Sequence, residues 1–284
     1  MDAIVDVKGQ ESAQGSSQDS AHDSGHRMLI TPERVFYAGL LGRPRERCPG
    51  AFHVYVAIRD GLHLSTSDGC QAHGELAVTM PNLRHTITSE YRSAICVAIE
   101  PESVPDGTLD AVTRRLQGPD SGLFVNRIRA AYARLAEMQY RDAISNAEFD
   151  TMCFGDALPQ RVLDPRVVRA IARIGQFSGE PVTAAGCAAD AGLSPSRFLH
   201  LFKEETAISF RSFRAWKRAR HLLHFANQDI NLAHLAQDIG YPDSTHFSHS
   251  IRRFYGLKPR AIFSGSRDLA IYRTGQAVTA SALT

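Results

Sequence analysis

One internal repeat constrains this 284-residue chain more than any bulk property does. Ala188, Asp190 and Gly192 recur as Ala236, Asp238 and Gly240, an offset of 48. Past the glycine the offset becomes 49: Phe198, Phe202 and Lys203 match Phe247, Ile251 and Arg252. One residue has been inserted in the turn of the second copy. Constant spacing on either side of a single turn is what two copies of a helix-turn-helix show. The local chemistry agrees. Residues 182–191 read as an Ala-rich helix, and Gly192 supplies a positive-φ turn. Ser194 is a good N-cap, with Pro195 at the first helical position, where no amide donor is needed. In the second copy residues 232–239 are the first helix, Gly240 the turn and Asp243 the cap. Phe198, Leu201 and Phe202 in one copy, and Phe247, Ile251 and Phe254 in the other, form the buried stripes.

Residues 210–225 join the two units. Phe213, Trp216, Ala219, Leu222 and Leu223 recur there at helical spacing, and Trp216 reads as core. A helix of ~20 residues spans about 30 Å, close to the ~34 Å turn of B-DNA. Such a connector sets two recognition helices into successive major grooves. Charge points the same way. Residues 161–265 carry 15 Lys and Arg against 8 Asp and Glu, on a chain whose net charge is only +2. A basic half on an otherwise acidic chain is the footprint of a polyanion partner. Asp164-Pro165 opens a further helix, whose apolar face is Val167, Val168, Ile171 and Ile174.

Ahead of this, residues 28–101 alternate short apolar runs with turn signals such as Arg59-Asp60-Gly61 and Ser67-Asp68-Gly69, which predicts a small β-barrel or sandwich. Residues 109–150 turn helical, with Phe124, Ile128, Ala131, Leu135 and Met138 on one stripe. That stripe either packs on its own barrel or pairs with a second subunit. The expected organisation is a disordered tail over 1–27, a sheet-rich domain with following helices over 28–150, a linker over 151–163, an all-α domain over 164–265 and a tail over 266–284. The fold class is therefore α+β. The N-terminus has no basic start followed by an apolar run, no segment approaches the ~18 apolar residues of a membrane span, and the five cysteines are scattered, as reduced thiols are in a cytosol. A cytoplasmic protein without membrane partners is expected.

The segment 181–263 resembles the DNA-binding domain of the AraC/XylS family of bacterial transcription regulators. The matching strings are Ala188-Ala189-Asp190-Ala191-Gly192-Leu193-Ser194-Pro195-Ser196-Arg197-Phe198, Leu201-Phe202-Lys203-Glu204-Glu205-Thr206, Arg218-Ala219-Arg220-His221-Leu222-Leu223, Ile239-Gly240-Tyr241 and Phe254-Tyr255-Gly256-Leu257-Lys258-Pro259. The resemblance implies double-stranded promoter DNA as partner, with RNA polymerase as a second. The family's base-reading positions fall on Ser196, Leu199 and His200, and on Ser244, Thr245, Ser248 and His249. The same slot is histidine in both copies. Leu199 can only touch a thymine methyl, so the first copy reads with fewer polar groups. Arg197, Lys203, Arg214, Lys217, Arg218, Arg252, Arg253 and Lys258 are candidate phosphate contacts, which set register rather than sequence.

Residues 74–85, Gly74-Glu75-Leu76-Ala77-Val78-Thr79-Met80-Pro81-Asn82-Leu83-Arg84-His85, resemble part of the cupin-like sensor barrel often fused to this domain. That implies a pocket for a small effector and a homodimer interface on the following helices (Phe124, Ile128, Ala131, Leu135, Met138). Metal ligands and cofactors are not expected: His53, His63, His73 and His85 stand ten or more residues apart with no H-x-H pair, and no catalytic triad or Cys/His arrangement is evident. Three arginines in Gly42-Arg43-Pro44-Arg45-Glu46-Arg47, with Arg114-Arg115, suit bidentate capture of an anion such as a sugar acid, an organic acid or a cyclic dinucleotide; the plainer reading is a solvated basic loop. The expected effector residues are Arg43, Arg45, Arg47, His53, His85 and Arg115. The function expected is an effector-controlled activator or repressor, not an enzyme. The alternatives are control by a protein partner and a cupin-type metal enzyme.

Overall fold

The computed structural model describes residues 25–137, 144–177, 182–264 and 266–273. The sheet-rich half begins with β1 (Arg27–Ile30), β2 (Arg34–Leu40), β3 (Phe52–Ala57), β4 (Leu62–Thr66), β5 (Gln71–Gly74), β6 (Leu76–Thr79), β7 (His85–Ser89) and β8 (Ser93–Ile99). Three helices follow: α1 (Thr108–Leu116), α2 (Ser121–Glu137) and α3 (Asn146–Phe154). The helical half holds α4 (Pro165–Gly175), α5 (Ala184–Asp190), α6 (Pro195–Thr206), α7 (Phe210–His221), α8 (Leu232–Asp238), α9 (Ser244–Tyr255) and α10 (Pro259–Ser264). A last strand, β9 (Ala270–Arg273), ends the described chain. No helix among the described residues is long and apolar enough to cross a membrane.

Two sheets stand where the sequence predicts a small barrel or sandwich. One has six strands in the order β6-β3-β8-β2-β1-β9; the other has three, β5-β4-β7. Strand side chains alternate between faces, and this alternation organises the whole molecule. Phe52, Val54 and Val56 of β3, with Ile95, Val97 and Ile99 of β8, point to one face and meet α1, α2 and α3. Tyr55 and Ala57, with Ala94, point to the other face, where Leu62, Leu64 and Ile87 of the small sheet cover them. Further along that second face, Met28, Ile30, Val35 and Ala98 are covered by Trp216, Phe247, Ile251 and Phe254 of the helical half. The buried Arg34 side chain bonds both oxygens of Asp150, at 2.7 and 3.0 Å, and ties β2 to α3.

Four expectations are corrected here. The stripe assigned to a dimer interface is internal: Phe124, Ile128, Ala131 and Leu135 are buried against the sheet. A helix following a one-sided sheet has that sheet to cover, and periodicity cannot tell an internal partner from a second subunit; Met138 lies outside the described residues. The segment 266–284, read as a tail, contributes β9, which pairs parallel with β1. Four residues are too few to carry a strand signal. Helix α3 runs on to Phe154, so the connection starts at Gly155, which ends the helix with φ +96. The connector between the repeated units is α7 of 12 residues plus a 3-10 turn, Leu222–Phe225. At 1.5 and ~2 Å per residue these span roughly 26 Å, less than the 30 Å expected.

Candidate nucleic-acid interface

The repeat recurs at the level of hydrogen bonds. Thr183 caps α5 and Asn231 caps α8, each side-chain oxygen accepting from a first-turn amide. At the turns, Leu193 N donates to Ala188 O at 2.9 Å, and Tyr241 N to Ala236 O at 2.8 Å. Both close over a glycine of positive φ, Gly192 at +64 and Gly240 at +81. Ser194 and Asp243 then cap α6 and α9, with Asp243 Oδ1 accepting from Thr245 N and His246 N at 2.8 Å. Each helix ends on a left-handed residue, Ala207 at φ +60 and Gly256 at φ +69. Equivalent caps, turns and ends thus sit at the same offsets of 48 and 49 as the sequence repeat.

The two units stand on different supports. The first has its own core, where Phe198, Phe202, Phe210 and Phe213 pack edge to face beside Val167, Ala170 and Ile174 of α4. The second shares a core with the six-stranded sheet. In both, the expected reading side is turned outward. Ser196, Leu199 and His200 of α6 are exposed, as are Ser244, Thr245 and His249 of α9; Ser248 is half-buried. Leu199 is 41% exposed, a large apolar side chain left in water.

The phosphate candidates divide. Arg197, Lys203, Arg252, Arg253 and Lys258 are exposed. Lys217 is not a surface cation: its Nζ lies 2.7 Å from Glu100 and 2.5 Å from Glu102, in a buried cluster where Glu100 also pairs with Arg220 Nε at 2.7 Å and accepts from Trp216 Nε1 at 2.9 Å. Burial alone would lower the Lys217 pKa, but the two carboxylates raise it above the ordinary lysine value. Burial likewise pushes against ionisation of Glu100, and Lys217 and Arg220 win, holding it below the usual carboxylate range. Arg214 donates to the Val182 carbonyl and lies over the Phe210 ring. Arg218 lies 5.9 Å from the Tyr241 ring centre, half-buried. These three hold the helical half together and to the sheet. Glu100 and Glu102 were missed by the sequence reading; their signal is an acidic pair at the end of an apolar strand, facing a basic helix over a hundred residues away.

Of the expected effector residues, Arg43, Arg45, Arg47 and His53 line one cavity of about 530 Å³. It lies at the seam between the sheet and the second repeat. Its floor includes Tyr37, Tyr55 and Cys96, its far wall Trp216, Phe254 and Leu257. Arg47 Nε is buried with no hydrogen-bond partner, and the guanidinium makes no ion pair among the described residues. Burial lowers the His53 pKa to about 3 and raises the Cys96 thiol to about 12, so both are neutral. His85 is displaced from the cavity lining: it is buried, its Nδ1 donates to Leu83 O, and its Nε2 accepts from Tyr55 at 2.9 Å. Arg115 sits on α1, across the sheet, paired with Asp156 at 3.6 Å. Among the described residues no three His, Cys, Asp or Glu side chains gather as metal ligands would.

Comparison with known proteins bears on the helical half. Residues 187–264 match the family described as "Helix-turn-helix domain". The HTH-type transcriptional activator RhaS of Escherichia fergusonii is 35% identical over 80 residues, 28% of this chain and 23% of that protein. The chain thus spans about a quarter of the length of the curated relative it matches. Among solved structures, ToxT from Vibrio cholerae O395 is 9% identical with a TM-score of 0.48, covering 85% of this chain and 97% of that one. The C-terminal domain of AraT, a response regulator from Geobacillus stearothermophilus, is 20% identical with a TM-score of 0.34, covering 43% and 97%. At these TM-scores the structural likenesses carry no argument.

Proposed function

We propose that this chain, whose residues 187–264 are a helix-turn-helix domain of the AraC/XylS type, is a sequence-specific DNA-binding regulator of transcription. The observation that carries the reading is the duplicated unit with both reading faces in solvent. Helix α9 has Thr245 and His249 one turn apart on its exposed side, next to Ser244 and Ser248. Hydroxyl and imidazole groups there can exchange hydrogen bonds with base edges in the major groove. Arg252 and Arg253 follow at the end of the same helix, where phosphate contacts set register.

The finer part of the reading is control by a small anionic effector in the seam cavity. Arg47, half-buried in the wall of a largely apolar cavity, has no carboxylate partner among the described residues and only a carbonyl hydrogen bond, Nη2 to Leu41 O at 3.3 Å, so an anion there would be favoured. The interior between the two sheets is filled by Leu41, Tyr55, Leu62, Leu64 and Ile87, so the effector belongs at the seam. A ligand there touches the sheet and the second reading unit together, which gives it a route to DNA affinity.

The test of base reading is the variant Thr245→Ala/His249→Ala. Binding to a selected operator should weaken by about 2 kcal/mol or more, from ~1–3 kcal/mol per base contact. Binding to random duplex should change little. Equal losses on both DNAs would show that α9 does not read sequence.

A further inference from the structure

The loop of residues 42–47 belongs to the sheet-rich half by sequence, yet it is seated on the second recognition helix. On α9, Thr245, His249, Arg252 and the C-cap Gly256 succeed one another at steps of four, three and four, so they share one face. The loop backbone closes on the far end of that face. A Cβ on Gly256 would lie 3.0 Å from Arg45 O and 3.2 Å from Glu46 O. Cys48 N donates to Arg253 O at 2.8 Å, and Leu257 packs over Gly42. The loop therefore continues the reading face beyond the helix itself.

Its charges are unspent. Arg43 and Arg45 are exposed and make no ion pair among the described residues. The one acid of the loop, Glu46, is held by Arg84 at 2.8 Å. Arg252, Arg253, Lys258 and Arg260, on the neighbouring helix ends, are also exposed and without an ion pair among the described residues. Four of these six cations, Arg43, Arg45, Arg252 and Lys258, line one cavity rim, and cations there with no ion pair among the described residues suit an extended polyanion. The geometry suits it too. The 12 residues of α9 span about 18 Å, and the major groove is ~12 Å wide. A helix that reads bases with its first turns brings its far end to the groove edge, where the phosphates run.

We propose that Arg43 and Arg45 are DNA-backbone contacts, so that the sheet-rich half supplies part of the DNA interface beside the second helix-turn-helix. This rests on the DNA-binding reading above and gives these two arginines a role other than the effector clamp expected from sequence. Arg47, turned into the cavity, keeps that role. Because the loop also forms the cavity mouth, a ligand at the seam can shift a DNA contact directly.

The experiment uses the full chain and a random-sequence duplex of ~30 bp, because phosphate contacts do not depend on sequence. Affinity is followed by fluorescence anisotropy between ~50 and ~200 mM salt. Each phosphate contact contributes ~0.9 to the slope of log K against log salt, so Arg43→Ala/Arg45→Ala should flatten it by about 1.8, making the affinity drop over that range about 12-fold smaller. Arg43→Lys/Arg45→Lys should restore the slope. Arg59→Ala, an exposed arginine in the β3–β4 turn, should leave it unchanged. A wild-type slope in the double alanine variant overturns the proposal, as does an equal flattening in Arg59→Ala. If the wild-type protein binds no duplex DNA, the DNA-binding reading falls, and this one with it.

Discussion

At the residue scale the two repeat copies are each other's control. Helix α6 ends on Ala207 at φ +60, where its counterpart α9 ends on Gly256 at φ +69. An alanine held in the left-handed region costs about 1 kcal/mol that a glycine does not. Ala207→Gly should therefore raise stability by roughly 0.5–1 kcal/mol, seen as a higher denaturant midpoint with an unchanged slope. Gly256→Ala should cost more than that gain, because its new Cβ would also press on the loop at 3.0 Å from Arg45 O. If both substitutions have the same sign, backbone strain is not what distinguishes the two ends. Turns and caps were legible from sequence at this scale, since Gly, Ser, Asp and Pro act through their own backbone and nearest neighbours. The burial of Lys217 was not legible. Nothing within a helical turn of Lys217 is acidic; its partners Glu100 and Glu102 arrive from the end of β8.

At the scale of elements, the connecting helix α7 is a clamp as well as a spacer. Trp216, Lys217 and Arg220 occupy one side of it, and all three engage Glu100. Arg220 also donates to Thr31 O at 2.6 Å. Removing one partner of a buried ionic cluster strands the others, at a cost of about 3–5 kcal/mol. Lys217→Met should thus lower the thermal midpoint strongly while leaving the salt slope for random duplex DNA unchanged. A flattened slope with normal stability would return Lys217 to the phosphate contacts. The helices themselves were readable from apolar periodicity. What each stripe packs against was not: the α2 stripe fits a sheet as well as a second subunit, and only the topology places the six-stranded sheet under it.

For the whole molecule, the consequence of this arrangement is that one side of one sheet is shared. Its second face is covered partly by the small sheet and partly by the second helix-turn-helix, and the cavity lies between that face and the second of these covers. A ligand there bridges the sheet and the reading unit, so it should stabilise both in one transition. A thermal-shift screen of carboxylic acids and nucleotides should find anions that raise the midpoint of the wild-type protein but not of Arg47→Gln. A compound that stabilises both proteins equally would place its site elsewhere. The first helix-turn-helix has its own aromatic core, and neither α5 nor α6 lines the cavity.

By itself the sequence determined the duplicated helix-turn-helix, its caps and turns, which residues of its second helices face outward and the α+β succession of elements. All of these depend on interactions a few residues apart, which spacing and residue type encode directly. The tertiary structure alone decided where the basic residues stand. It buried Lys217 against two distant carboxylates, left Arg47 without a counter-charge in a cavity, and set Arg43 and Arg45 at the end of the second recognition helix. A charge looks the same in sequence whether it will face water, a carboxylate or an apolar cavity wall. Its environment comes from long-range packing, where the dielectric and the partners are set by segments far away in the chain.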